Sequence, residues 1–273
     1  NGDWPLTLQG NINLPAPDGK PLALALKVDG NVRNTLNLTA DTSGYLNAHI
    51  AGELQPLADN LPAQLKITSE QFKPGFDLPD TLQLNQLVLT AKGDLKDGYE
   101  LNGNATLPAE NTPVNLLLKG RVDAKGAQIA ALDLTSGPQQ HLKLSGQVDW
   151  HEGLSAEAKI DWLEFPWHNL YPVIAKPDVD LRAFSGEVSY RDGNYLGNFK
   201  ADLDGPAGKF SLSSPFSGDL GKIFLPELKL VAGQGKAEGH VNVQFADGVA
   251  WDTALDLSAI DPAYWVAELP GTL

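Results

Sequence analysis

A chain of 273 residues that is 42% apolar has ample surface to bury and is not of the disordered class. Its formal charge of -14 excludes simple electrostatic binding to phosphate backbones or anionic membrane surfaces, which is the work of Lys and Arg clusters. The absence of cysteine rules out disulfides, thiolate metal sites and cysteine nucleophiles.

Methionine is absent too, and the sequence starts at Asn1, which suggests a piece of a longer protein. No run of about 18 apolar residues is present to span a membrane, and no basic-then-apolar amino terminus marks a signal peptide. Any targeting or anchoring segment is expected outside this stretch.

From the amino terminus onward the chain reads as short amphipathic strands. Leu6, Leu8, Ile12 and Leu14 alternate with Thr7, Gln9, Asn11 and Asn13, and Gly10 takes the remaining position on the apolar face. Period two places apolar side chains on one face and polar ones on the other. The alternation returns in Leu22 to Val28, in Leu36 and Leu38, in Leu46, Ile50 and Leu54, and in Leu65 and Ile67. Turn formers separate the runs: Pro17-Asp18-Gly19, Ser43-Gly44 and Asp59-Asn60-Leu61-Pro62.

Two further sets follow. The first comprises Leu82 to Ala91, Tyr99 to Leu107, Val114 to Val122, Ile129 to Leu134, Leu142 to Trp150 and Leu154 to Trp162. The second comprises Val179 to Tyr190, Tyr195 to Leu203, Lys209 to Phe216, Ile223 to Ala232, Lys236 to Phe245 and Val249 to Leu257. The sets correspond at a spacing of about 95 residues, the signature of a repeat architecture. Asp97-Gly98 matches Asp192-Gly193, Asp123 matches Asp219, Leu132 and Leu134 match Leu228 and Leu230, Gly137 matches Gly233, and Phe165 matches Ile260. Lys66-Ile67 and Phe72 extend the match into the first third. Three modules are expected, 1–79, 80–176 and 177–273.

Each module ends in a segment that breaks the alternation: Phe72 to Pro79, Phe165 to Pro172, and Ile260 to Pro270. In the second, Pro166 and Pro172 bracket Trp167 and Tyr171, excluding a plain strand or a long helix. In the third, Asp261 suits a cap and Pro262 a first helical position, which predicts a helix of about two turns.

About seventeen strands with one apolar face need something to cover it. The sheet can fold into sandwiches, close as a barrel, or curl into an open trough. Evenly short turns favour an uninterrupted antiparallel meander.

Strands of the form Leu142-Lys-Leu-Ser-Gly-Gln-Val148 and Leu116-Leu-Leu-Lys-Gly-Arg-Val122, repeating at this long period between short aromatic segments, resemble the AsmA-like proteins of Gram-negative bacteria. These are similar in build to bridge-like lipid transfer proteins, whose groove module has five strands and a crossing segment; the later repeats here have about six. The resemblance implies an all-β fold, an elongated, curved sheet forming an open apolar groove. It further implies a periplasmic segment of an inner-membrane-anchored protein that carries phospholipids between the two membranes, with an outer-membrane barrel as partner through regions outside this stretch. The expected lining is the alternating apolar face: Leu116, Leu118, Leu132, Leu134, Leu144, Val148, Ile160, Trp162, Phe210, Leu212, Leu228, Leu230, Val243, Phe245 and Leu255.

Reactive constellations are missing. The histidines at 49, 141, 151, 168 and 240 lack metal-site spacing. Asp178 with Asp180, and Asp202 with Asp204, share strand faces, but solvated turn and edge positions explain them better than calcium binding or glycosidase chemistry. Gly233-Gln-Gly235 fits a hairpin turn, and no Gly-x-Ser-x-Gly elbow occurs. No cofactor, metal or nucleic acid is expected, and an enzyme is the least supported class. The rival is a structural module of stacked sandwiches, or a scaffold that adds partner strands at an open edge.

Overall fold

The computed structural model describes residues 4–15, 22–44, 46–73, 75, 78–245 and 248–266. The chain divides into two compact units, Asn1–Ser136 with Pro166–Ile174, and Gly137–Phe165 with Ala175–Leu273.

The first unit contains β1 (Pro5–Leu14), β2 (Leu22–Asn31), β3 (Leu36–Ser43), β4 (Asn47–Leu54), β5 (Ala63–Phe72), β6 (Leu84–Asp94), β7 (Gly98–Leu107), β8 (Val114–Val122) and β9 (Gly126–Thr135). Each pairs antiparallel with the next. The second unit contains β10 (His141–Asp149), β11 (Ser155–Leu163), β12 (Asp180–Arg191), β13 (Asn194–Gly205), β14 (Gly208–Asp219), β15 (Lys222–Ala232), β16 (Gly235–Gln244) and β17 (Ala250–Ser258). These also pair in succession. The architecture is therefore an all-β antiparallel meander, and among the described residues it is not closed into a barrel.

Register decides what each face presents, because directly opposed residues point the same way. In the first unit Gly10, Leu26, Ala40, Ile50, Ile67, Leu89, Gly103, Leu118 and Leu132 stand opposite one another in one row. In the second unit Leu142, Trp162, Phe184, Ala201, Leu212, Leu230, Ala237 and Leu257 form such a row. The opposite face carries Lys143, Asp161, Ser185, Lys200, Ser213, Lys229, Glu238 and Asp256 in register. Alternation in sequence thus becomes a whole apolar face in space.

Short turns cross between strand sets. Helix α1 (Trp167–Leu170) is one turn, and 3-10 turns occupy Asp80–Leu82 and Pro262–Tyr264. Here the structure corrects two expectations. The run expected from Leu82 begins as a strand only at Leu84, because Leu82 N donates to Pro79 O (3.0 Å) and Gln83 N to Asp80 O (3.1 Å). Within the described residues the expected two-turn helix after Asp261 shows a single 3-10 turn: Asp261 does cap it, accepting from Ala263 N at 2.9 Å, but Tyr264 and Trp265 pack against Phe210. Residues 267–273, with Pro270, lie outside the described residues, as do the turn at Pro17-Asp18-Gly19 and positions 74, 76 and 77.

Candidate functional site: an uncovered apolar lining

In a flat, unpartnered sheet both faces are equally wet, yet here they differ. Along β13, Asn194, Leu196, Asn198 and Lys200 are exposed, whereas Tyr195, Gly197 and Phe199 are half-buried and Ala201 is buried. β15 alternates likewise, with Ile223, Leu225, Leu228 and Leu230 half-buried. Among the described residues of the second unit the other elements are strands of the same meander or short turns, so within the unit no helical layer supplies the shielding. Neighbouring strands of the same face shade one another, which is the signature of a sheet bent toward its apolar side.

Mid-strand glycines permit that bend. A Cβ at Gly197 would run into the Glu187 carbonyl, one at Gly146 into that of Glu157, and one at Gly239 into that of Ala254. Gly239 also has φ +155, a conformation other residues rarely adopt.

Large buried side chains gather at one end of the strands. In the first unit Leu107, Val114 and Ser136 are buried together with Leu170 of α1. Backbone N–H of Glu110 donates to Asn169 O (2.9 Å), and the Thr81 hydroxyl to Leu170 O (2.6 Å), so α1 is tied across that end. In the second unit Phe210, Ala232, Ala237 and Ile260 are buried, with Tyr264 and Trp265 edge-on to Phe210 at 6.3 and 5.7 Å. The opposite end is wet: Val148 is 36% exposed, Phe245 47% and Trp251 72%.

The expected lining residues fall on these rows. Leu116 faces Leu134 and Leu118 faces Leu132. Leu144 faces Ile160, Trp162 faces Phe184, and Leu212 faces Leu230. Phe210 faces Ala232, Leu228 and Leu255 meet at Gly239, and Val148 and Val243 occupy the wet end. Phe245 lies one residue beyond β16, where its N–H donates to Gly221 O (2.7 Å). Absent from the expected set are Tyr195, Phe184, Phe199 and Phe216, which share the lining. Folding the sequence about the turn at Asp192-Gly193 would have found the first three, because Tyr190 opposite Tyr195 fixes each pair as far as Ala183 opposite Asp202.

Charges stay off the lining. His49 pairs with Asp41 (2.6 Å), His141 with Asp161 (2.9 Å) and His240 with Asp252 (3.7 Å). Of the carboxylates singled out above, Asp180 pairs with Lys176 (2.9 Å), and Asp204 with Arg182 (3.2 Å). Arg182 also binds Glu164 at 2.6 Å, and this hydrogen bond holds its guanidinium above its already high value. Glu187 lies below the usual carboxylate range because Asn198 donates to it and Lys159 sits beside it. At strand ends Asp123 accepts from Lys125 N (2.8 Å) and Gly126 N (3.0 Å), and these backbone donors lower its pKa.

An antiparallel meander with apolar rows on one face and charged rows on the other places the chain in the class of all-β proteins built on an amphipathic sheet. The family described as "TamB, N-terminal domain" matches residues 1–177 and 170–273, and the chain belongs to that family. It is similar to the translocation and assembly module subunit TamB of Haemophilus influenzae, 24% identical over 281 residues that cover 95% of the chain. The chain spans 20% of the length of that relative. No solved structure matches.

Proposed function

We propose that the chain is a segment of a phospholipid bridge between the inner and outer membranes, lying in the periplasm, with acyl chains held against the apolar lining. The observation that carries this reading is the half-buried, uncovered apolar face. Each methylene moved from water to such a surface is worth about 0.8 kcal/mol, so a tail is retained without chemistry, while headgroups stay hydrated at the wet end. The lining comprises the fifteen residues expected above together with the four aromatics, and the three modules 1–79, 80–176 and 177–273 repeat it. Membrane anchoring and an outer-membrane barrel partner belong to regions outside this stretch, and the segment works without catalysis.

The name of the relative, a translocation and assembly module subunit, favours a second reading in which strands are handed to a partner. The observation behind it is β1, exposed along its whole length and without a charged residue among Pro5–Leu14, the kind of edge that accepts another strand. Lipid extraction from chain purified without detergent, with a native mass spectrum, separates the two. Phospholipid masses on the folded chain support the bridge; a lipid-free chain that captures an unfolded strand supports the scaffold and overturns it.

A further inference from the structure

We infer that in the second unit a lipid tail lies across the sheet, parallel to the strands, on a track of aromatic rings running from Tyr195 to Trp162 and Phe165. The inference rests on the lipid-holding reading above and adds where the tail lies and which way it points.

The rings form a chain of contacts. Tyr195 and Phe216 have centroids 6.1 Å apart, Phe216 and Phe199 6.3 Å, and Phe199 stacks on Phe184 at 6.1 Å with only 10° between planes. Phe184 stands opposite Trp162, which meets Phe165 edge-on at 5.3 Å. From Tyr195 to Ala201, the partner of Phe184, the track advances along β13 by about 20 Å at ~3.4 Å per residue. A leaflet's tails reach about 15 Å, half of a hydrocarbon core of about 30 Å, so one tail fits the track.

The rings form a floor. A Cβ at Gly197 would stand 2.7 Å from the Phe216 ring, and one at Gly186 3.1 Å from that of Phe184. Glycine at these two positions makes room for the rings along the lining.

The two ends differ in kind. At the outer end the Tyr195 hydroxyl donates to Lys222 O (2.8 Å), with Arg191 and Lys222 exposed at strand ends and Asp192 in the turn beside them. Tyrosine suits a boundary where one side is apolar and the other wet. At the inner end Phe165 is 5% exposed and closes the track. A polar head at Tyr195 and a methyl end at Trp162 match that gradient.

Lengthwise, the middle of the lining is interrupted. Pairing between β14 and β15 breaks from Ser213 to Ser217, and between β15 and β16 from Leu225 to Leu228, with Pro215 and Pro226 in the gaps. The two middle rows of the lining lose their register there, whereas across the track β11 to β14 stay paired, Trp162 to Phe184 to Ala201 and Gly186 to Phe199 to Ser214.

The test uses the unaltered chain and two photoreactive phospholipids, one with a diazirine beside the carbonyl of its palmitoyl tail and one with it at the methyl end. Adducts are mapped by peptide mass spectrometry. The first probe is expected to label peptides holding Tyr190 and Tyr195 several-fold over those holding Trp162 and Phe184, and the second to reverse the ratio. Equal labelling by both probes means tails lie along the groove, which overturns the inference and leaves the lipid-holding reading intact. No adduct on any lining peptide overturns that reading itself.

Discussion

Ser136 and Ala232 each stand at the end of a strand directly before a glycine, and each is buried, at 1% and 2% exposure. Alanine fits such a site without penalty, but the Ser136 hydroxyl has no hydrogen-bond partner there. An unmet buried polar group costs about 1–3 kcal/mol. Ser136→Ala is therefore expected to stabilise the chain by about 1 kcal/mol in urea denaturation; a loss of stability would mean that the hydroxyl is satisfied. Asp123 makes a second case, with a sign fixed by linkage. Its folded pKa lies below the ordinary 3.8 because two backbone N–H groups favour the carboxylate. Its contribution is thus fully present above about pH 4 and is lost as pH falls through the lower folded value. In Asp123→Asn the amide oxygen keeps the turn but does not titrate. The melting-temperature gap between wild type and variant should be constant from neutral pH to about 5 and change only below about 4. A gap that changes around pH 6 would refute this assignment.

Strands and their faces were legible because period two is a local property: Val114–Val122 and the run through Tyr195 appear in the sequence much as they pair in space. Module ends were less legible. Glu164 (φ 45) and Ala259 (φ 52) both turn left-handed just after a strand and just before a buried residue, Phe165 or Ile260, and neither glycine nor asparagine announces the turn. The turn near Pro262 is shaped by Phe210, some fifty residues away in sequence, which local propensity does not register. The lining aromatics were missed because choosing among alternating residues requires register, and register comes from pairs. The element that closes the end of the first unit is α1, whose Leu170 is 6% exposed and whose ties to Glu110 and Thr81 use backbone oxygens. Leu170→Ala should cost about 2–5 kcal/mol, as for other buried leucines. Trp167→Ala with Tyr171→Ala, at half-buried positions, should lower stability too, with lipid occupancy unchanged in the protein that remains folded. Altered occupancy in a fully stable variant would make this segment a gate rather than a clasp.

At the scale of the whole sheet, the decisive property is that one face is apolar yet only half-buried, since a closed core and an open lining respond oppositely to the same insult. A carboxylate in a closed core is stranded from water and unfolds the protein. On an open lining it reaches solvent while no ligand is present, and the fold survives. Leu134 and Leu230 are both half-buried on the lining, whereas Leu196, 62% exposed between Ser189 and Ser217, belongs to the polar face. Leu134→Glu and Leu230→Glu are expected to remain soluble and cooperatively folded, because the new charge stays hydrated. A tail laid over that charge would have to strip its water, at a cost of more than about 1.4 kcal/mol, which is tenfold in occupancy. Lipid recovered per folded chain should therefore drop at least about tenfold in both lining variants and stay at the wild-type level in Leu196→Glu, read by mass spectrometry of extracts beside a circular dichroism melt. Aggregation of the lining variants would identify the face as a closed core. Equal loss in all three variants would show that net charge, and not the lining, controls lipid binding.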